Sequence, residues 1–142
     1  MVRKHSEREE PALVEPAEAA LKLQRLFRKA VRRLRRSDFH LQADMVQEMS
    51  LAVLECSGRH PLSLYFSRGV SRAISFLRMW TRGSDRHEPI EDHYETFWYD
   101  PVEIAARRDA AISELKRRGM GFLLEELYEL EATAAEAARS AA

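Results

Sequence analysis

Between residues 23 and 34 the apolar side chains Leu23, Leu26, Phe27, Ala30, Val31 and Leu34 recur at intervals of three and four, which places them on one stripe of an α-helix. The other side is cationic, with Lys22, Arg25, Arg28, Lys29, Arg32, Arg33, Arg35 and Arg36. Such a segment needs an apolar neighbour on one face and water or an anion on the other. Pro16 suits the first turn of this helix, where its missing N–H costs nothing, and Ser37-Asp38 reads as its end.

The same period continues. A second helix is expected from about residue 42, with Met45, Val46, Met49, Ala52, Val53 and Cys56 on one face and Asp44, Gln47, Glu48 and Glu55 largely off it. Residues 56–61, with Gly58 as a helix stop, read as a turn. A third helix is predicted over 62–81. Leu62, Phe66, Val70, Ala73, Leu77 and Trp80 mark its buried side, flanked by Tyr65, Ile74 and Phe76, while Arg68, Arg72, Ser75, Arg78 and Arg82 trace a cationic side. Gly69, inside that helix, costs about 1 kcal/mol relative to Ala, which points to close packing there. After an irregular stretch with the aromatic cluster Phe97-Trp98-Tyr99, Asp100-Pro101 opens a fourth helix to about residue 118. Gly119-Met120-Gly121 reads as a hinge. A last acidic, Ala-rich helix follows to about residue 139, with Phe122, Leu123, Leu127 and Leu130 on its apolar side.

Five Gly and five Pro in 142 residues are too few for the turns of a sandwich or barrel. The fold class is therefore all-α. The expected organisation is a flexible arm over 1–15, a helical domain over 16–86, a connecting loop over 87–100 and acidic, Ala-rich C-terminal helices over 101–142.

The 23 basic and 23 acidic side chains cancel overall, but they are segregated. Residues 1–36 carry +6, 37–58 carry −4, 59–86 carry +5 and 87–142 carry −7. Screening acts over about 8 Å, so a basic block can meet a polyanion although the molecule is neutral. Alternatively, the acidic C-terminal third folds against the basic parts and neutralises them. One cysteine, Cys56, excludes an internal disulfide. No apolar run has the roughly 18 residues of a membrane span, so the expectation is a cytoplasmic protein with no membrane partner.

No Gly-rich phosphate loop and no nucleophile–base arrangement stands out, so no enzyme activity and no cofactor are expected. The cluster His87-Glu88-Pro89-Ile90-Glu91-Asp92-His93 is metal-capable, but Pro89 keeps the two histidines off one helix face and the spacing fits no zinc motif. Cys56 with His60 makes two ligands, not a site. No metal is assigned.

Two stretches carry a resemblance. Ala43-Asp44-Met45-Val46-Gln47-Glu48, followed by Met49, Leu51, Ala52 and Leu54, resembles the acidic docking helix in region 2 of bacterial RNA polymerase sigma factors. Leu62, Ser63, Tyr65, Val70, Ala73 and Ile74 occupy places similar to those in that family's next helix, which reads and opens the −10 promoter element. The resemblance covers roughly residues 20–86 and implies a sigma region-2-like bundle with additional C-terminal helices. It implies a sigma-like transcription factor whose Asp44, Met45, Gln47 and Glu48 dock on the clamp helices of core RNA polymerase. Tyr65, Arg68, Arg72, Arg78 and Arg82 would contact promoter DNA.

Arg68 and Gly69 stand where strand-opening members carry adjacent aromatics, and no basic recognition helix follows residue 100. The first departure bears on melting of DNA by the protein alone, which the sequence leaves open, and the second suits a lone region-2 module. The alternative is a helical interaction module that keeps the polymerase-docking surface and has lost DNA function, with the acidic tail masking the cationic helix or holding a regulatory protein.

Overall fold

The computed structural model describes residues 11–35, 38–82 and 101–141, with 81 and 82 described by backbone alone. It is all-α: α1 (Pro16–Leu34), α2 (Phe39–Leu54), α3 (Leu62–Arg82), α4 (Pro101–Arg117), a 3-10 turn (Gly121–Leu123) and α5 (Leu124–Ala141). Pro16 occupies the first turn of α1, Glu18 lies in that turn and Arg32 and Arg33 lie in the last, so charge complements the helix dipole at both ends. α1 stops three residues before Ser37. Asp38 does not end it but caps α2, accepting the Leu41 N–H at 3.0 Å, and α2 therefore begins at Phe39, ahead of the expected start.

At the end of α4 the Gly119 N–H donates to the Lys116 carbonyl at 3.1 Å and the Met120 N–H to the Leu115 carbonyl at 2.8 Å. This is a Schellman closure, and Gly119 supplies the left-handed φ of +81° that it requires. Met120 is driven into the core just beyond it. The expected hinge is thus a tightly bonded helix stop.

α3 is the central element, packed by α1 and α2 and also by α4 and α5. Leu23, Phe27, Met49, Phe66, Val70, Leu115, Met120 and Leu127 belong to one continuous core. The segments 16–86 and 101–142, read as separate units in the sequence, therefore share their interior wherever they are described. Phe27 and Phe66 stack with ring centroids 5.8 Å apart. The Phe27 ring lies so close over Gly69 that a Cβ there would come within 2.7 Å of its Cε1. α3 outruns its own burial, since Ala73 is buried but Trp80 is 58% exposed.

The N-terminal segment departs from a free arm. Val14 is buried and pairs with His60 in an isolated antiparallel bridge, with N–H to carbonyl distances of 2.9 and 3.2 Å. Residues 11–15 are thereby stitched to the turn before α3, while residues 1–10 lie outside the described residues.

The C-terminal helices are held to α3 by a buried ionic contact. Arg108 of α4 grips Glu131 of α5 through both carboxylate oxygens, at 3.2 and 2.5 Å, with both side chains at 7% exposure or less. Glu131 Oε2 also accepts the Ser63 N–H at 3.3 Å. That N–H belongs to the first turn of α3, where no intrahelical carbonyl is available and the dipole favours an anion.

Replacing Gly69 with Ala tests the central packing. Helix propensity alone would favour the change by about 1 kcal/mol. Overpacking against the fully buried Phe27 ring outweighs it, for an expected net loss of about 1–2 kcal/mol in denaturant unfolding.

Candidate functional site

α2 turns Leu41, Met45, Met49, Ala52 and Val53 into the core. Helical geometry then sends His40, Asp44, Gln47, Leu51 and Leu54 outward along one strip. Asp44 and Gln47 are exposed, as a docking role requires. Leu51 and Leu54 are 41% and 50% exposed, and they give the strip apolar contact area that the acidic and amide groups alone lack. Met45, expected among the docking residues, is a correction: it lies on the Met49–Ala52 stripe and is fully buried.

Glu48 and Arg72 were assigned to different partners, and the structure joins them. Arg72 Nη1 lies 3.4 Å from Glu48 Oε1 and its Nη2 lies 2.6 Å from Glu55 Oε1, the Arg72 side chain being only 12% exposed. This ion triad ties α3 to the flank of α2. Arg72 is therefore a packing cation, and Glu48 is already occupied.

Tyr65 is a second correction. It is 1% exposed, and its hydroxyl donates to the Val14 carbonyl at 2.6 Å, so it cannot meet a base. Burial, reinforced by the Cys56 charge, pushes its phenol well above the ordinary value against the His60 backbone hydrogen bond. Arg68 is half-buried and Arg78 is exposed on α3. The Arg82 side chain, His87–His93 and Phe97-Trp98-Tyr99 lie outside the described residues.

Among the described residues no group of three or more His, Cys, Asp or Glu side chains gathers in metal-binding geometry. The Cys56 thiol donates to the Ala52 carbonyl at 3.4 Å, and a His60 ring nitrogen lies 2.6 Å from the Ser57 carbonyl oxygen. No helix among the described residues is long and apolar enough to cross a membrane.

The cationic face of α1 is not neutralised by the acidic C-terminal helices. Among the described residues one ion pair, Lys29–Glu126, joins them. Arg33 sits over the exposed Phe122 ring at 5.9 Å. At the far end of α4, Arg118 donates to Ser71 of α3 at 2.8 Å and to Glu114. Partial desolvation opposes ionisation of Glu114, but hydrogen bonds and charge from Arg118 and Arg117 hold its carboxyl below the usual value.

Leu51 and Leu54 lie outside the expected docking set of Asp44, Met45, Gln47 and Glu48. Their signal was the stripe of Met45, Met49 and Ala52, which leaves large apolar side chains at 51 and 54 facing water. No family model matches the chain, and no match was found among curated proteins or solved structures.

A Tyr65→Phe substitution checks the buried placement. A phenol whose folded pKa is raised stabilises the fold below its unfolded value of about 10 and loses that contribution as pH rises through the folded value. The variant is expected to be about 1 kcal/mol less stable at pH 7, a gap that narrows in urea unfolding above about pH 10.

Proposed function

We propose that this chain is a helical docking module of the transcription apparatus, binding core RNA polymerase through the outward strip of α2. The observation that carries the reading is the placement of Asp44, Gln47, Leu51 and Leu54 together on a helix face that stays exposed among the described residues. A rim that mixes charge, amide and exposed leucine has the composition of an interface centre with a polar edge. Core polymerase is named as the partner because this strip falls within the stretch that resembles the sigma docking helix.

The fuller reading, a sigma-like factor that also contacts −10-like promoter DNA, now draws on fewer groups. Arg68 and Arg78 stay on the outer side of α3. Tyr65 is enclosed and Arg72 is engaged by two carboxylates, so neither supports base capture. The exposed acids Glu125, Glu129 and Glu136 of α5 suit a regulatory protein as an additional partner.

Capture of core polymerase by the tagged full chain tests the docking. Replacing Asp44 and Gln47 with Ala and Leu51 with Ser should leave helicity unchanged, because all three are surface positions. Capture is expected to weaken by about tenfold or more, equivalent to about 1.4 kcal/mol. Arg68→Ala with Arg78→Ala should leave capture intact; if these also remove promoter-DNA retention by the complex, the sigma-like reading gains. Undiminished capture by the α2 variant would refute the docking role.

A further inference from the structure

α1 and α2 enclose an open groove of ≈ 670 Å³ on the other side of α2 from the Glu48–Arg72–Glu55 triad. Val31, Ala43 and Val46 form its apolar floor, Phe39 stands at its mouth, and Arg28 and Arg32 form the α1 wall. Phe39 is 78% exposed, an unusual position for a large aromatic ring. Arg28 and Arg32 are one helical turn apart on the same face. Among the described residues the Arg28 guanidinium is held only by the Gln24 amide oxygen, at 3.3 Å, and neither arginine has a carboxylate partner. The acids of α2 lie elsewhere: Asp44 faces outward and Glu48 faces α3.

We propose that this groove receives an acidic amphipathic helix of a partner protein. Phe39 and Val46 are seven residues apart on α2, about 10 Å along the helix, which matches two turns of an inserted helix. Apolar side chains at i, i+3 or i+4, and i+7 would rest on Val31, Ala43 and Val46, and Ala43 allows close approach of the incoming backbone. Asp or Glu on the flank of that helix would pair with Arg28 and Arg32, which a planar fork suits. The aliphatic floor favours a helix over a nucleic acid strand, because it offers bases no aromatic faces apart from Phe39 at the mouth. The site lies beyond the outward strip of α2 and uses α1, so it does not depend on polymerase docking.

The test uses fluorescence anisotropy with the full chain and a labelled peptide of roughly 16 residues, long enough to be helical, with leucines on one face and glutamates beside them. A counterpart with lysines for the glutamates and a labelled oligothymidylate are the controls. The glutamate peptide is expected to bind saturably and the lysine peptide not. Arg28→Glu with Arg32→Glu should weaken binding by about tenfold or more. Ala43→Trp fills the groove from an exposed position and should do the same with unchanged circular dichroism.

Absence of glutamate-peptide binding, or equal binding of both peptides, overturns the proposal. So does oligonucleotide binding that requires Arg28 and Arg32 but is indifferent to Ala43→Trp, which would make the wall a phosphate-contacting surface. A dimer of the free chain that Ala43→Trp dissociates would assign the groove to a second copy and overturn it equally. The Asp44, Gln47 and Leu51 variant should bind the peptide normally, and the arginine variant should still capture polymerase, so the two readings fail separately.

Discussion

The carboxylate of Glu131 closes the N-terminus of the central helix from a distance of 68 residues, and the rest of the architecture is arranged around that contact. A helix start buried without a partner for its first N–H groups is expensive, and Glu131 supplies one. A buried anion is itself expensive, and Arg108 neutralises it through two hydrogen bonds. Tyr128 covers the outside, its ring 5.6 Å from the guanidinium. Three helices thereby meet at one point, and Leu115, Met120, Leu123 and Leu127 from the C-terminal segment belong to the shared core. The C-terminal helices are therefore part of the body of the protein.

This constraint redistributes what each helix can offer a partner. α3 has neighbours in α1, α2, α4 and α5, so its polar groups are recruited inward: Ser63 to Glu131, Ser71 to Arg118, and Arg72 to Glu48 and Glu55. Among the described residues α2 has α1 and α3 as its main neighbours and keeps a broad outer face. α1 retains most of its arginines at the surface, with Lys29 alone paired to α5 among the described residues. Exposed side chains thus lie less on the helix that carries the aromatic and basic pattern than on the two helices in front of it.

Much of the fold was legible because helical periodicity is a local property. The α1 stripe, the turn at Gly58 and the close packing at Gly69 follow from spacing and residue type. Boundaries were less legible: Asp38 is as good an N-cap as it is a helix end, and only the chain beyond it decides. Phe122 was misread because Gly121–Leu123 is a 3-10 turn that breaks the register of α5, leaving Phe122 outside while Leu123 turns in. In the candidate site, the exposure of Asp44 and Gln47 followed from the period, whereas the burial of Tyr65 depended on residues 11–15 folding over it. The Arg108–Glu131 pair left a faint trace. Arg108 falls in step with Ala111, Ile112 and Leu115, and Glu131 with Leu124, Leu127 and Ala134, each a charge on an apolar stripe. Nothing local says that two such charges meet.

A double-mutant cycle on that pair, read by urea unfolding of the full chain, tests the arrangement most directly. Arg108→Met and Glu131→Leu should each cost about 3–5 kcal/mol, because each strands a buried partner charge. The double variant should lose far less than their sum, since it leaves no unpaired charge. Small, additive losses of under about 1 kcal/mol each would mean that the pair is solvated, and that α4 and α5 are not locked to α3 in the manner described.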